Sequence, residues 1–268
     1  MNILIVGLGN IGKSHLKGLL NASFKKIIYI YDKKKINLQD KELIYLEKIP
    51  QKKKFDLVIL ATDVKDRLLI IKKILKNNIV KYFLLEKYIF KSLKEFDSFE
   101  KNYLKKIKKD CFINCWGQII LDNIKLGGIT KNFQMHVSIS NESFLSSFIH
   151  FLQIFKILSK SSDFSINKKI SKLINSKRKN YKELQGKFIV ENKNGSNMIY
   201  VSNKIRDGFI INIKFKNKSY RIFLDNKFDL NIKSNEIFKK IKFPMSYLTT
   251  NDLIINISKN KRKNIKLP

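Results

Sequence analysis

The sequence predicts an α/β protein in two parts. A doubly wound parallel sheet occupies residues 1–118, and an α+β domain on a mostly antiparallel sheet occupies residues 119–268. Three observations carry this. In the first half, short continuous apolar runs alternate with helical patterns, as strands buried on both faces of a parallel sheet require. A glycine cluster follows the first run directly and opens the first helical pattern. Past residue 119 the runs lengthen and alternate apolar with polar, and an Asn-Gly pair joins two of them, which is the pattern of half-buried antiparallel strands.

Taken in order, Asn2-Ile3-Leu4-Ile5-Val6 is the first strand. Gly7-Leu8-Gly9-Asn10-Ile11-Gly12 ends it, and Ile11, Leu16, Leu19 and Leu20 then recur at helical spacing. A second strand, Ile27 to Tyr31, stops at Asp32. Leu57 to Ala61 is the next and leads into a helix carrying Leu68, Leu69, Ile71, Ile74 and Leu75. Tyr82 to Leu85 is a strand ending at Glu86-Lys87, and an amphipathic segment near 92–109 precedes a strand from Cys111 to Trp116. Strands separated by helices imply right-handed crossovers and a parallel sheet.

In the second half Phe133, Met135, Val137 and Ile139 face one way, with Gln134, His136 and Ser138 opposite. One helix follows, over roughly 142–158. Phe188 to Glu191 then turns through Asn194-Gly195 into Met198 to Val201, and strands Phe209 to Phe215 and Tyr220 to Leu224 complete the pattern.

Charge and composition narrow the function classes. Lys and Arg number 55 against 22 Asp and Glu, a formal net charge of +33. Only Arg67, Arg178, Arg206, Arg221 and Arg262 are arginines, although arginine suits bidentate recognition of phosphates and bases. The excess is also evenly spread, with 26 bases and 12 acids before residue 119 and 29 and 10 after it. A nucleic-acid binder more often concentrates charge on a stripe or tail. We therefore expect solvated lysines, including a basic tail near 259–263, and no specific nucleic-acid partner. The longest apolar runs fall far short of the ~20 residues a membrane span needs. Residues 2–9 lack the basic leader and cleavage site of a signal peptide, so a reducing cytoplasm is the expected compartment. Cys111 and Cys115 have no companion cluster for zinc, and no metal site is expected.

Chemistry enters at the glycines. Gly7 permits the tight turn out of the strand, Gly9 lets backbone approach a pyrophosphate, and Gly12 allows helix to pack closely on strand. The helix beginning at Asn10-Ile11 offers unpaired N–H groups and a positive dipole end to phosphates. Asp32, at the end of the second strand, would accept bonds from ribose hydroxyls and favour NAD. Lys33, Lys34 and Lys35 follow it and could hold a 2′-phosphate, so NADP stays possible. A purely structural glycine turn and an S-adenosylmethionine site are the competing readings.

The helix near 142–158 is apolar over most of its girth, but Ser143, Ser146, His150 and Gln153 share one face. Such a polar stripe suggests a solvent-lined cleft, in which a histidine can exchange protons near neutral pH. The alternative is a core histidine bonded to backbone, and spacing alone does not separate the two. His136, on a strand face, reads as structural or interfacial.

Several motifs together carry a family resemblance. Gly7-Leu8-Gly9-Asn10-Ile11-Gly12-Lys13-Ser14-His15 looks like a GxGxxGxxH opening, Asp56 to Thr62 like a DxVxIxT strand, and Leu85-Glu86-Lys87 stands where a Glu-Lys-Pro would. His150 and its surroundings look like a helix bearing DxxxH, and Asn194-Gly195 and Asp207-Gly208-Phe209-Ile210 resemble its strand-rich sheet. On these the whole chain resembles the Gfo/Idh/MocA oxidoreductases. The resemblance implies a Rossmann domain plus an open-sheet domain, and hydride transfer between NAD(P) and a sugar, cyclitol or nucleotide-linked sugar. A place in carbohydrate or surface-polysaccharide biosynthesis would follow from that chemistry. It implies that Lys87 polarises or orients the substrate hydroxyl and that His150 takes its proton. Ala61, Thr62 and Glu86 would line the cofactor. Ser146 stands where the family has an aspartate four residues before the histidine, Asp63 follows Thr62 in place of a proline, and Tyr88 replaces the proline after Glu-Lys. These departures keep open a dinucleotide-binding member with lost or altered catalysis. An exposed sheet face in the second domain would suit a homo-oligomer, a dimer or tetramer.

Overall fold

A computed structural model describes residues 1–34, 41–123, 132–176, 181–203, 208–234 and 238–259. Lys35, Asp207, Arg178, Arg206 and the basic run at 260–263 lie outside the described residues. In chain order the first elements are β1 (Asn2–Val6), α1 (Asn10–Leu20), β2 (Ile27–Tyr31), β3 (Leu43–Leu46), β4 (Lys54–Leu60), α2 (Val64–Asn77), β5 (Ile79–Glu86), α3 (Leu93–Asn102) and β6 (Asp110–Asn114). There follow α4 (Gly117–Asn123), β7 (Gln134–Ser140), α5 (Phe144–Ser159), β8 (Phe164–Asn175), β9 (Lys182–Asn192) and β10 (Asn197–Asn203). The chain closes with β11 (Phe209–Phe215), β12 (Lys218–Leu224), β13 (Asp229–Ser234), β14 (Phe238–Lys242) and α6 (Ser246–Ser258).

Two compact units result. The first joins residues 1–114 to the closing segment from Met245, and the second is Cys115–Pro244. The expected single cut after residue 118 therefore differs from the observed division, because α6 returns to the first unit.

The first unit holds six parallel strands in the order β3-β2-β1-β4-β5-β6. Alternate side chains of each central strand go to opposite faces. Leu4 and Val6 of β1 join Val58, Leu60, Phe83 and Leu85 in a core covered by Ile71 and Ile74 of α2 and Phe99 of α3. Ile3 and Ile5 join Ile28, Ile30, Leu57 and Ile59 in a second core, covered by Leu16 and Leu19 of α1 and by Leu253 and Ile254 of α6. Burying Leu253 and Ile254 contributes roughly 1.5–3 kcal/mol each, which is why the last helix belongs to this layer. Helical pattern near 92–109 is realised only to Asn102, followed by a single 3₁₀ turn at Leu104–Lys106.

The second unit is an eight-stranded sheet, β14-β13-β12-β11-β7-β10-β9-β8, antiparallel throughout except where β7 pairs with β10. Met135, Val137 and Ile139 of β7, Met198 and Tyr200 of β10, and Ile211 and Ile213 of β11 form one apolar face. Phe144, Phe151, Ile154, Phe155 and Leu158 of α5 pack on it. Both expected fold types, a doubly wound parallel sheet and a mostly antiparallel sheet with helix on one face, are thus observed. No helix among the described residues is long and apolar enough to cross a membrane.

Candidate functional site

The strand order of the first unit reverses direction between β1 and β4, and crevices at such switch points, beyond the carboxyl ends of the strands, are where open α/β sheets bind ligands. The glycine loop occupies that position. Gly7 leaves β1 with φ +90°, and its N–H bonds Tyr31 O at 2.9 Å. A side chain on Gly7 would meet Ala61 O at 2.9 Å, and one on Gly12 would stand 2.0 Å from Gly7 O. The loop, the start of α1 and the turn after β4 are therefore in direct backbone contact. Gly9 is the reverse case: it is exposed, and a Cβ there would meet nothing within 4 Å. Asn10 is exposed and Ile11 half-buried beside it. Gly9 is the N-cap of α1 and supplies no side-chain oxygen, so the first-turn amides are left to other acceptors.

Asp32 is tied to this loop. Its Oδ2 accepts from Leu8 N–H at 2.5 Å and its Oδ1 from Lys34 N–H at 2.8 Å. An ionised carboxylate has about four lone-pair sites, so two bonds of this kind orient it without exhausting it. Lys33, next along, is paired with Asp66 at 2.9 Å, which holds its ammonium above the ordinary lysine range.

Past β4, Ala61 N–H bonds Val6 O at 2.9 Å, so Ala61 lies just outside the strand expected to contain it. The methyl of Thr62 would be 3.1 Å from a Cβ on Gly7, while its hydroxyl is buried with no hydrogen-bond partner among the described residues. Sequence reasoning passed over the group that holds this turn. Arg67 of α2 is 2% exposed; it donates to Thr62 O at 2.7 Å, Glu86 O at 2.5 Å and Ile89 O at 3.2 Å, and also to Tyr88 O. One guanidinium thus joins the turns after β4 and β5, and the second of these carries Lys87, half-buried one residue beyond the end of β5. The available signal was spacing, since Arg67, Ile71 and Ile74 fall at i, i+4 and i+7 on the buried stripe of α2.

Glu86 faces inward. Its Oε1 is 2.8 Å from His15 Nε2 and accepts from Asn114 Nδ2 at 2.6 Å, while His15 Nδ1 lies 2.6 Å from Thr250 Oγ1. Asn114 also donates to Ser246 Oγ at 3.1 Å. The histidine of the opening motif is fully buried and ties α1, β5, β6 and α6 together beneath the loop. Asp56, the first residue of the second motif, accepts from Asn2 N–H at 2.8 Å and pairs with Lys81 at 2.6 Å, which is a strand-edge role.

In the second unit, His150 is 2% exposed. Its Nδ1 lies 3.0 Å from Cys115 Sγ and accepts from Trp116 N–H at 3.3 Å. The Trp116 indole stacks on the imidazole at 4.2 Å and 22°, and Phe209 also stacks on the indole, at 5.3 Å and 10°. Gln153 Oε1 accepts from Gln118 N–H at 3.3 Å. The expected solvent-lined stripe is therefore corrected. Ser146 is exposed, but His150 and Gln153 lie under the segment at 115–118, whose backbone amides need acceptors. Glu183 of β9 caps the other end of the helix, accepting from Leu145 N–H at 2.7 Å and Ser146 N–H at 3.3 Å. His136 is exposed on β7. Among the described residues no group of three or more His, Cys, Asp or Glu side chains is placed to hold a metal ion.

No family model matches the sequence, and no curated protein matches it. By fold the chain is similar to solved structures along nearly its whole length. A super-repressor mutant of Gal80p from Saccharomyces cerevisiae has a TM-score of 0.72 at 14% identity, covering 100% of this chain and 88% of that one. UDP-N-acetylglucosamine 3-dehydrogenase GnnA from Acidithiobacillus ferrooxidans has a TM-score of 0.67 at 12% identity, covering 97% and 90%. Biliverdin reductase from Synechocystis sp. PCC 6803, solved with biliverdin and NADP+, also has a TM-score of 0.67, at 10% identity, covering 99% and 93%. The likeness is one of fold, and the architecture implied by the sequence motifs, a parallel-sheet unit and a mostly antiparallel open-sheet unit, is the one found.

Proposed function

We propose that the protein is an NAD(P)-dependent oxidoreductase, preferring NAD, that moves a hydride between the nicotinamide and a hydroxyl-bearing carbon of a sugar, cyclitol or nucleotide-linked sugar. One observation carries the reading: an open glycine loop at the switch point of the sheet, with Asp32 bonded to the loop's own Leu8 amide. The exposed, unobstructed Gly9 suits close approach of a pyrophosphate to backbone, and the uncapped first turn of α1 suits its charge. Asp32, already oriented, suits ribose hydroxyls, and the pairing of Lys33 with Asp66 competes with its use for a 2′-phosphate.

A bound nicotinamide supplies the hydride acceptor or donor. The chain's own contributions follow from position. Ala61, the buried Thr62 hydroxyl and the backbone beside Glu86 would border the cofactor, with the Glu86 carboxylate serving His15 and Asn114 from below. Lys87, at the carboxyl edge of the sheet on the turn that Arg67 fixes, would meet the substrate oxygen and orient or polarise it. His150 is proposed, from the family resemblance alone, as the group that takes the proton of the substrate hydroxyl. We assign the cofactor to the first unit, and substrate binding with self-association to the second, whose outer strand β8 exposes Ile166, Ile170 and Leu173. The two free thiols suit a reducing cytoplasm.

The test is hydride transfer, followed at the nicotinamide absorbance across a panel of sugars, cyclitols and nucleotide sugars. Lys87→Ala should lower kcat on an identified substrate on the order of 100-fold, as removal of a positioned charged donor does. Unchanged turnover in that variant would overturn the assignment of Lys87.

A further inference from the structure

We infer that α6 is a working part of the dinucleotide site: Thr250 and Ser246 are positioning residues that act through His15 and Asn114 on the Glu86 carboxylate, and so fix the phosphate-binding helix α1 against the turn after β5. The ligand is that of the proposed function, on which this rests, and every residue concerned lies in the first unit.

Two hydroxyls of α6, four residues apart and so on one face of the helix, each meet a side chain that reaches the same oxygen. Thr250 Oγ1 lies 2.6 Å from His15 Nδ1, and His15 Nε2 lies 2.8 Å from Glu86 Oε1. Ser246 Oγ accepts from Asn114 Nδ2 at 3.1 Å, and the same nitrogen donates to Glu86 Oε1 at 2.6 Å. A carboxylate oxygen only accepts, so His15 Nε2 carries a hydrogen, while the Thr250 hydroxyl serves Nδ1 in either role. Both donors converge on one oxygen. The neighbouring main chain is held as well, since Glu86 O accepts from Arg67 Nη1 at 2.5 Å. Side chain and main chain at the end of β5 are thereby fixed from two directions.

Holding α6 in place does not need this array. Leu253 and Ile254 already bury the helix in the core. Gly18 lets it approach α1 so closely that a Cβ there would stand 2.3 Å from Tyr247 O and 3.1 Å from Thr250 Cβ. His15 and Thr250 are fully buried, and Glu86 is 8% exposed. Burying polar groups costs free energy unless each is bonded, and apolar side chains of similar volume would hold the helix at least as well. What the polar array adds is direction. His15 lies on α1, five residues past the Asn10 that starts it, and Glu86 is the last residue of β5. One hydrogen bond therefore runs from the helix whose first turn faces the phosphates to the strand end that would border the nicotinamide. Thr250 keeps the imidazole turned toward Glu86, and Ser246 keeps the Asn114 amide turned the same way.

Calorimetric titration of the full-length protein with NADH and with ADP separates positioning from simple stability. ADP engages only the glycine loop and Asp32, whereas NADH must also reach the turn after β5. Thr250→Val keeps the shape of the side chain and removes the hydroxyl. Its NADH affinity should fall roughly 10-fold, as the loss of a buried hydrogen bond predicts, while its ADP affinity is retained; Thr250→Ser should restore most of the loss. Ser246→Ala, at the half-buried start of α6, should show the same split to a smaller degree, and it decides the matter if Thr250→Val does not fold. Equal losses for NADH and ADP, or no loss for NADH, in a folded variant would overturn the inference, as would a Thr250→Ser protein no better than Thr250→Val. In those cases a native protein that binds NADH more tightly than ADP leaves the proposed function standing. A native protein that binds neither would overturn both.

Discussion

Gly9 and Gly12, three residues apart in the same loop, give the sharpest prediction. A Cβ on Gly12 would stand 2.0 Å from Gly7 O and 2.9 Å from its carbonyl carbon. That obstacle is backbone, so the start of α1 must retreat by more than about 1 Å to restore ordinary contact in so dense an interior. Overpacking of this kind costs about 1–3 kcal/mol, and the better helix propensity of alanine returns up to about 1 kcal/mol. A contact this short against backbone puts the cost at the upper end, so Gly12→Ala should be about 2 kcal/mol less stable, a fall in Tm of several degrees at about 2–4 °C per kcal/mol. Its NAD affinity should fall as well, because the first-turn amides move with the helix. Gly9→Ala meets nothing within 4 Å and already has a permitted φ of −67°. Its stability should stay within about 1 kcal/mol of native, while NAD binding weakens because the new methyl stands where a phosphate would approach. Thermal melts with and without NAD separate the two. A Gly12→Ala protein as stable as the native one would refute the packing argument, and undiminished NAD binding in Gly9→Ala would refute the phosphate assignment.

Three further outcomes follow from the same geometry. Arg67→Met leaves the carbonyls of Thr62, Glu86, Tyr88 and Ile89 without their shared donor, and should cost at least about 2–3 kcal/mol in urea unfolding; an unshifted midpoint would remove Arg67 from its place as the clamp of the two turns. In the second unit the Asp229 N–H, the Asn231 side-chain amide and Lys240 hold the Asp225 carboxyl well below the usual carboxylate range. A lowered folded-state pKa gives stability that is complete above about pH 4 and lost as pH falls further, so Asp225→Asn should show a shallower decline in stability below that pH, and an identical decline would refute the assignment. Burial pushes the Cys111 thiol up to about 12, so at about pH 8 iodoacetamide should leave Cys111 unmodified in the native protein and alkylate it once unfolded, as mass spectrometry of the peptide would record.

What the sequence made legible follows from how strongly each segment is buried. The central strands β1, β4 and β5 are apolar on both faces, and their limits were readable to within a few residues. The edge strand β3, Leu43–Leu46, is half exposed and shows no alternation. Strand β8 is Lys168-Lys169-Ile170-Ser171-Lys172 at its centre and exposed along almost its whole length, so only pairing with β9 marks it as a strand. Helix α6 is rich in Thr and Ile, residues whose branching at Cβ favours strands; it is helical because Leu253 and Ile254 fill the core beside α1. At the site, the glycines and Asp32 were readable because backbone geometry restricts the residue type. Arg67 and the bond from Trp116 to His150 were not, since a buried guanidinium on carbonyls and a backbone amide on an imidazole leave little trace in residue spacing. The stripe carrying His150 was seen, but its covering segment, 115–118, is distant in sequence and read as the end of a strand.

The central claim is that the loop between β1 and α1 with Asp32 is a nicotinamide dinucleotide site, and a thermal-shift titration of the native protein and Asp32→Ala tests it most directly. NAD at about 100 times its Kd should stabilise the native protein by about 2.7 kcal/mol, NADP should do less, and Asp32→Ala should lose most of the NAD effect and the preference between the two. A native protein stabilised by S-adenosylmethionine and by neither nicotinamide dinucleotide would contradict the account.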